Sequence, residues 1–409
     1  MSMIKYNNIR QMHIELTSKC NASCPGCPRN VSGGYPLPWI DKREWSLSQF
    51  KEVFTPELIK GCRTILFCGN YGDPGTCRDL VEIVDYIKQC HWEGTVRVHT
   101  NGGMRNPTFW RKLADKMNPQ HDRVIFSVDG LEDTNHMYRR KVQWSKLYAN
   151  MTAYCDAGGS ATWEFLIFGH NQHQLNDAKA LSEELGFKDF FYKKAFGFTE
   201  EKQGKGLDSM LLLDDNGLVD GALYPPDDEW TNSWHLEAGK NQGKSNTRMD
   251  PLVPDVFKRS FKNEKDSLDE RIQNGHLSWL DSSQQIDCMS IRNQEIYVDA
   301  QGGVHPCCFL GHVSQDADGI INMQYYEWVD KNIGFDNINI IKHGLQYVLD
   351  ETDYFSKIKD TWDIKKHNDG RIAQCTKHCQ VHNNPIDSLY ESVRIQEDLR
   401  KTQIDEQKS

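Results

Sequence analysis

Between Gln11 and about Phe196 the chain alternates between short apolar runs and longer amphipathic segments, and this alternation most limits the folds open to it. The runs at 12–16, 64–67, 95–99, 124–128, 162–168 and 190–193 read as strands. Between them, 48–60, 77–89, 107–116, 145–156 and 174–185 read as helices, with Pro107 at a position where a helix start tolerates proline. Such alternation argues for a parallel sheet covered by helices. Six units suit an open, partial barrel, and a doubly wound sheet has the same pattern.

The remaining sequence changes character. At 409 residues the chain has room for roughly two to three domains. Residues 199–286 are polar and uneven, without a regular period, and read as a linker or lid with short helices. A further region covers 287–385 and opens on a hairpin pattern: a strand at 295–299, a Gln301-Gly302-Gly303 turn and a return strand. Residues 386–409 are charged and helix-prone.

Acidic residues outnumber basic ones, 58 against 48, for a formal charge of −10. That balance argues against an extended nucleic-acid or membrane surface. With no signal-peptide core in MSMIKYNNIR and no apolar run near the ~18 residues of a membrane span, the expectation is a soluble, cytoplasmic protein.

Thirteen cysteines are unusual for that compartment, where disulfides are rare. Three of them, Cys20, Cys24 and Cys27, follow the first expected strand in the spacing C-x3-C-x2-C. Three thiolates on one loop can hold three irons of a cubane cluster and leave the fourth open. A zinc loop is the plainer alternative.

The spacing and its position resemble the radical S-adenosylmethionine (SAM) enzymes. The resemblance implies a partial (β/α)6 TIM-like barrel over 1–198, with a small C-terminal α+β auxiliary-cluster domain. It also implies a [4Fe–4S] cluster on Cys20, Cys24 and Cys27 that binds SAM. Reduction then cleaves SAM to a 5′-deoxyadenosyl radical, which takes a hydrogen atom from substrate. Many members carry an aromatic residue just before the third cysteine, where this chain has Gly26. Gly69, Gly72 and Asp73 resemble the family's Gly-Gly-Glu-Pro loop, with Tyr71 and Asp73 as departures. Asn101, Ser127 and Asp129 end the third and fourth strands, where the family lines the SAM ribose and methionine. Arg140 matches, by spacing, the basic residue that faces the SAM carboxylate.

Cys288, Gly302 and Cys307 form C-x13-G-x4-C, similar to the opening of SPASM/twitch auxiliary-cluster domains. Cys375 and Cys379 add a C-x3-C, while the longer cysteine series of a full SPASM domain is missing. The resemblance therefore implies a shortened domain with a second [4Fe–4S] cluster on Cys288, Cys307, Cys375 and Cys379. The same four thiolates could build a zinc site, and His305, His378 or His382 could replace one of them. Cys308, Cys62, Cys68, Cys77, Cys90 and Cys155 read as small buried apolar residues.

Together these features imply a radical SAM oxidoreductase or modifying enzyme. Its auxiliary cluster would accept an electron during oxidative modification of a peptide or protein side chain. Dehydrogenation of a small alcohol or aminocyclitol is the alternative reaction. An iron–sulfur or zinc protein that relays electrons without SAM chemistry is the alternative class. The expected partners are a peptide or small-molecule substrate and an external one-electron reductant such as flavodoxin or ferredoxin.

Overall fold

The computed structural model describes residues 4–38, 40–90, 93–195, 209–227, 285–312 and 317–379. Six strands follow one another across one sheet: β1 (Gln11–Ile14), β2 (Thr64–Phe67), β3 (Thr95–Thr100), β4 (Arg123–Ser127), β5 (Ala161–Ile167) and β6 (Asp189–Lys194). Each is parallel to the next. A doubly wound sheet would reverse its order at a switch point. This one runs in a single direction from β1 to β6, as a partial barrel does.

The helices form where the sequence supplies both an apolar face and a cap. Leu80–Gln89 buries Leu80, Ile83, Val84 and Ile87, and Pro107–Lys116 buries Trp110 and Leu113 beneath an Asn106 cap. Trp144–Asp156 buries Leu147, Met151 and Tyr154. These side chains join one core with the outward residues of the strands, such as Ile14, Phe67, Val98 and Phe126. The opposite face of the same strands carries His13, Arg97, His99, Ser127, Glu164 and Lys193. Apolar packing thus lies under the helices, and chemistry is left on the inner face.

Three expectations need correction. The helix expected over 48–60 is two helices, Leu47–Val53 and Pro56–Gly61, because Thr55 caps the second and Pro56 begins it. The helix expected from Cys77 starts at Leu80, because Asp73 caps a short 3-10 turn, Pro74–Thr76, just before it. The stretch read as a lid with short helices contains an antiparallel hairpin, β7 (Met210–Leu213) and β8 (Val219–Leu223), with a bulge at Leu212/Leu213. Its turn closes on Asp214, whose carboxylate accepts the Asn216 and Leu218 amides.

The expected C-terminal hairpin forms as β9 (Glu295–Val298) and β10 (Val304–His305), with Gly302 at φ 88° in its turn. It does not build a sheet of its own. β9 runs parallel to β1, Gln11 opposite Glu295 through Ile14 opposite Val298, so the hairpin extends the main sheet beyond β1. The helix expected over 386–409 lies outside the described residues. Among the described residues, no helix is long and apolar enough to cross a membrane.

Candidate functional site

The loop after β1 carries Cys20, Cys24 and Cys27, and every sulfur meets a polar group from a different part of the sheet's C-terminal rim. The Asn101 amide, beyond β3, donates to Cys20 Sγ at 3.7 Å. Arg139, beyond β4, donates from Nη1 to Cys24 Sγ at 3.7 Å. The Cys27 thiol donates to the Asn70 carbonyl, beyond β2, at 3.8 Å. Within the loop, the Ala22 amide points at Cys20 Sγ, and the Cys27 amide donates to the Cys24 carbonyl. Three parallel strands therefore converge on one cysteine loop.

All three thiols are free. Burial pushes their pKa values upward, Cys27 to about 12, and the neighbouring sulfurs add to the shift at Cys20 and Cys27. Soft donors in such a place become thiolates only when a cation offsets the burial. That donor set fits a metal–sulfur cluster. Among the described residues, no three His, Cys, Asp or Glu side chains are gathered into a site for a single metal ion.

The loop after β2 packs tightly against the cysteine loop. A Cβ on Gly72 would lie 1.5 Å from the Thr17 carbonyl oxygen, and one on Gly69 would lie 2.4 Å from the Gly72 oxygen. Both glycines thus allow backbone to approach backbone. The Tyr71 and Gly72 amides both donate to Glu15 Oε1 at 2.7 Å. Asp73 points inward. Its carboxylate accepts the Gly75 and Asn101 amides, the Thr100 hydroxyl and the Asn101 side chain, each at 2.7–2.8 Å. Asp73 therefore orients Asn101, which in turn faces Cys20.

Beyond β4, Asp129 is fully buried and pairs with Arg139 at 2.5 Å, while its other oxygen accepts the Leu166 amide at 2.6 Å. Arg139 is the guanidinium beside the cysteines. Arg140, the residue that spacing singled out, pairs with Asp220 of β8 instead. Ser127 lies across from Glu164 of β5, and Glu164 pairs with Lys193 of β6 at 3.1 Å. Burial favours protonation of Glu164, but Lys193 and His99 outweigh it and hold its pKa near 2. His99 is kept neutral, its pKa lowered to about 4 by burial. Beside Gly26, the space a Cβ would occupy ends 3.0 Å from the Tyr138 hydroxyl, and the Tyr138 ring packs on Phe168 at 4.6 Å.

The C-terminal cysteines also gather. Cys288 caps the helix Met289–Asn293, Cys307 follows β10, and Cys375 and Cys379 lie one turn apart on Ala373–Cys379. The Cys379 thiol hydrogen-bonds to Cys288, which lowers the Cys288 pKa and raises that of Cys379. Burial pushes Cys307 upward, and Cys308, Cys288 and Cys375 push it further. Soft donors of this kind are those that could hold a metal–sulfur group. His305 is occupied by Tyr325 and Asp299, and His378 stacks on Phe309 at 4.2 Å. His382 lies outside the described residues. Cys62, Cys77 and Cys90 are buried in the core, while Cys68, Cys155 and Cys308 are partly buried.

Sequence reasoning did not single out Glu15, Asn70, Arg139 or Glu164. Glu15 and Glu164 had a visible signal, a carboxylate within or just beyond an apolar strand run. Choosing Arg139 over Arg140 depends on how the short helix Asn135–Tyr138 ends, which spacing alone does not reveal.

Residues 14–182 match the model of the Radical SAM superfamily. No curated protein sequence matches the chain. Among solved structures the chain is similar to Streptococcus suis SuiB bound to S-adenosylmethionine, at 11% identity and TM-score 0.42 over 74% of this chain and 61% of that one. It thus spans about three-fifths of the SuiB chain. It is also similar to anSMEcpe with bound AdoMet, at 13% identity and TM-score 0.44 over 91% of this chain and 86% of that one. A further similarity is to BtrN in complex with AdoMet and 2-DOIA, at 12% identity and TM-score 0.41 over 91% of this chain and 93% of that one.

Proposed function

We propose that the chain is a radical SAM enzyme with two cluster sites, a reading supported by the match of residues 14–182 to the Radical SAM superfamily model. Cys20, Cys24 and Cys27 would hold a [4Fe–4S] cluster, and Cys288, Cys307, Cys375 and Cys379 a second. The observation that carries this reading is the meeting of three free thiols on one loop with Asn70, Asn101 and Arg139 at one end of a parallel sheet. When bound, the cluster and SAM supply reductive cleavage to a 5′-deoxyadenosyl radical that takes a hydrogen atom from substrate.

The chain's own residues prepare that site. Asp73 fixes Asn101, and Asp129 fixes Arg139, so each donor reaches its sulfur already oriented. Arg139 adds positive charge beside Cys24, which favours the thiolate form needed for ligation. On the inner sheet face, Ser127, His99, Glu164 and Lys193 offer hydrogen-bond donors and acceptors to a polar group of the substrate. The substrate class we infer is a peptide or protein side chain undergoing oxidation. This follows from the resemblance of the segment from Cys288 to Cys307 to SPASM/twitch domains.

The test is anaerobic reconstitution with iron and sulfide, reduction, and addition of SAM. Formation of 5′-deoxyadenosine and methionine, lost when Cys20, Cys24 and Cys27 are replaced by alanine, is the expected result. A reconstituted, reducible cluster that never cleaves SAM would leave an electron-transfer protein as the better account.

A further inference from the structure

Asn70 bridges the first thiol group and the backbone turn that follows Cys307 of the second. Its carbonyl oxygen lies 3.8 Å from the Cys27 sulfur, and its side-chain amide donates to the carbonyls of Cys308 at 2.9 Å and Gly311 at 3.3 Å. Those carbonyls belong to the tight turn after Cys307. There the Leu310 amide donates to the Cys307 carbonyl, and the Gly311 amide to that of Cys308. The Cys308 carbonyl also lies 3.0 Å from His312 Nδ1. One residue on the β2 loop therefore spans from the first cysteine group to the backbone carrying a member of the second, 238 positions away.

The loop that carries Asn70 has little freedom to absorb a displacement. Gly72 lies so close to Thr17 that a single added carbon would sit 1.5 Å from the Thr17 oxygen. Both amides that follow Asn70 are held by Glu15 at 2.7 Å, and Asp73 is held from four sides. A tightly packed and hydrogen-bonded segment shifts as a piece rather than bending within itself. Whatever moves this loop at the triad end must move the Asn70 side chain at the other.

We propose that Asn70 is a positioning residue coupling the two thiol groups, so that SAM seated at the triad is felt at the turn 307–311. This inference rests on the two-cluster reading above. It adds a coupling to that reading: the C-terminal centre would respond to the occupancy of the first site, and the first site to the state of the C-terminal centre.

The experiment uses the full chain, anaerobically reconstituted, with SAM as the probe. Two readouts are followed: hydrogen exchange at the Leu310 and Gly311 amides, and the electron paramagnetic resonance spectrum of the C-terminal centre. In the wild type SAM should slow exchange at both amides and shift the spectrum. Asn70→Asp keeps the shape but loses both donors, so the SAM-dependent change in exchange should shrink by at least about five-fold. Asn70→Gln retains the amide and should recover part of the response. Melting scans on both variants establish that they are folded, and either folded variant is sufficient for the comparison.

A wild type whose turn ignores SAM, or an Asn70→Asp protein that responds like the wild type, would overturn the coupling. Failure of the two-cluster reading looks different. Iron content would then stop at about four atoms per chain while SAM still perturbs the triad cluster. In that case the exchange readout alone decides whether Asn70 couples the two segments.

Discussion

The Glu15 carboxylate accepts the Tyr297 hydroxyl at 2.7 Å in the protein interior, across 282 positions of sequence. The other Glu15 oxygen holds the Tyr71 and Gly72 amides. One buried carboxylate thus ties β1 to the loop behind the cysteines and to β9 of the C-terminal hairpin. Burial raises its pKa to about 7, against hydrogen bonds that lower it. His13, on the same strand, packs edge-on against the Tyr297 ring at 4.8 Å, and burial lowers its pKa to about 4.

These two groups pull stability in opposite directions with pH. Folded Glu15 retains a proton that the unfolded chain has released above its ordinary pKa. Its contribution is full below pH 4.5 and is lost as pH rises through 7. Folded His13 refuses a proton that the unfolded chain accepts. Its contribution is full above pH 6.5 and is lost as pH falls through 4. Each shift corresponds to about 3 kcal/mol. Denaturant midpoints across this window should therefore rise more steeply with pH in Glu15→Gln than in the wild type. They should rise less steeply, or fall, in His13→Asn. Parallel curves for all three proteins would show that neither site carries the linkage.

Gly72→Ala should be among the most damaging single-carbon changes in the chain. The new methyl would lie 1.5 Å from the Thr17 oxygen and 2.5 Å from its carbonyl carbon, both backbone atoms with no rotamer to escape into. A loss of about 3 kcal/mol or more is expected, above the usual range for overpacking. Gly61→Ala is the control, since nothing lies within 4 Å of its added carbon and it sits in a helix. Chemical denaturation of the two variants should separate them clearly. Equal stability would mean that the β2 loop can back away from the cysteine loop.

The strand–helix alternation was legible because period and length agree at most units, the split helix at 47–61 and the late start at Leu80 being the exceptions. The strand at 64–67 and the helix at 107–116 match their expected limits. The Cys20, Cys24 and Cys27 loop was legible for a similar reason, since a spacing within one loop is a local property. What could not be read was direction. Arg139 and Arg140 are adjacent, and only the end of a four-residue helix turns one toward Cys24 and the other toward Asp220. Asp73 was legible only as part of a Gly-Gly-Glu-Pro-like loop; that its carboxylate accepts four hydrogen bonds, from Gly75, Thr100 and Asn101, was not. The pairing of β9 with β1 depends on contacts nearly three hundred residues apart, which no local period encodes.

Replacing each arginine in turn tests that direction. Arg139→Ala would strand the buried Asp129 carboxylate, at a cost of about 3–5 kcal/mol. It should also weaken the effect of SAM on the triad cluster's spectrum. Arg140→Ala removes a pair whose Asp220 partner is half exposed, so stability should change by no more than about 1 kcal/mol. Arg139→Lys keeps a charge but not the fork that spans Asp129 and Cys24, and it should fall between the two. SAM titrations monitored by electron paramagnetic resonance, beside melting scans, would check the order. If Arg140→Ala abolishes the SAM effect and Arg139→Ala spares it, the spacing argument was the better guide.

Metal content separates the two cysteine groups. Reconstituted wild type should carry about eight irons, and the Cys20, Cys24 and Cys27 triple alanine variant about four. Replacing Cys375 and Cys379 by alanine should also leave about four, now on the triad, together with SAM cleavage. That second variant needs a structural control. The Cys288 and Cys379 thiols are hydrogen-bonded to each other, the Asp287 amide donates to the Cys379 carbonyl at 2.8 Å, and metal binding would add to the folding of this region. Its circular dichroism must therefore match the wild type before its iron is counted. Four irons with one zinc in the wild type would assign the C-terminal thiols to zinc. Loss of SAM cleavage in a folded Cys375, Cys379 double variant would mean that the second group acts before the hydrogen atom is taken rather than after it.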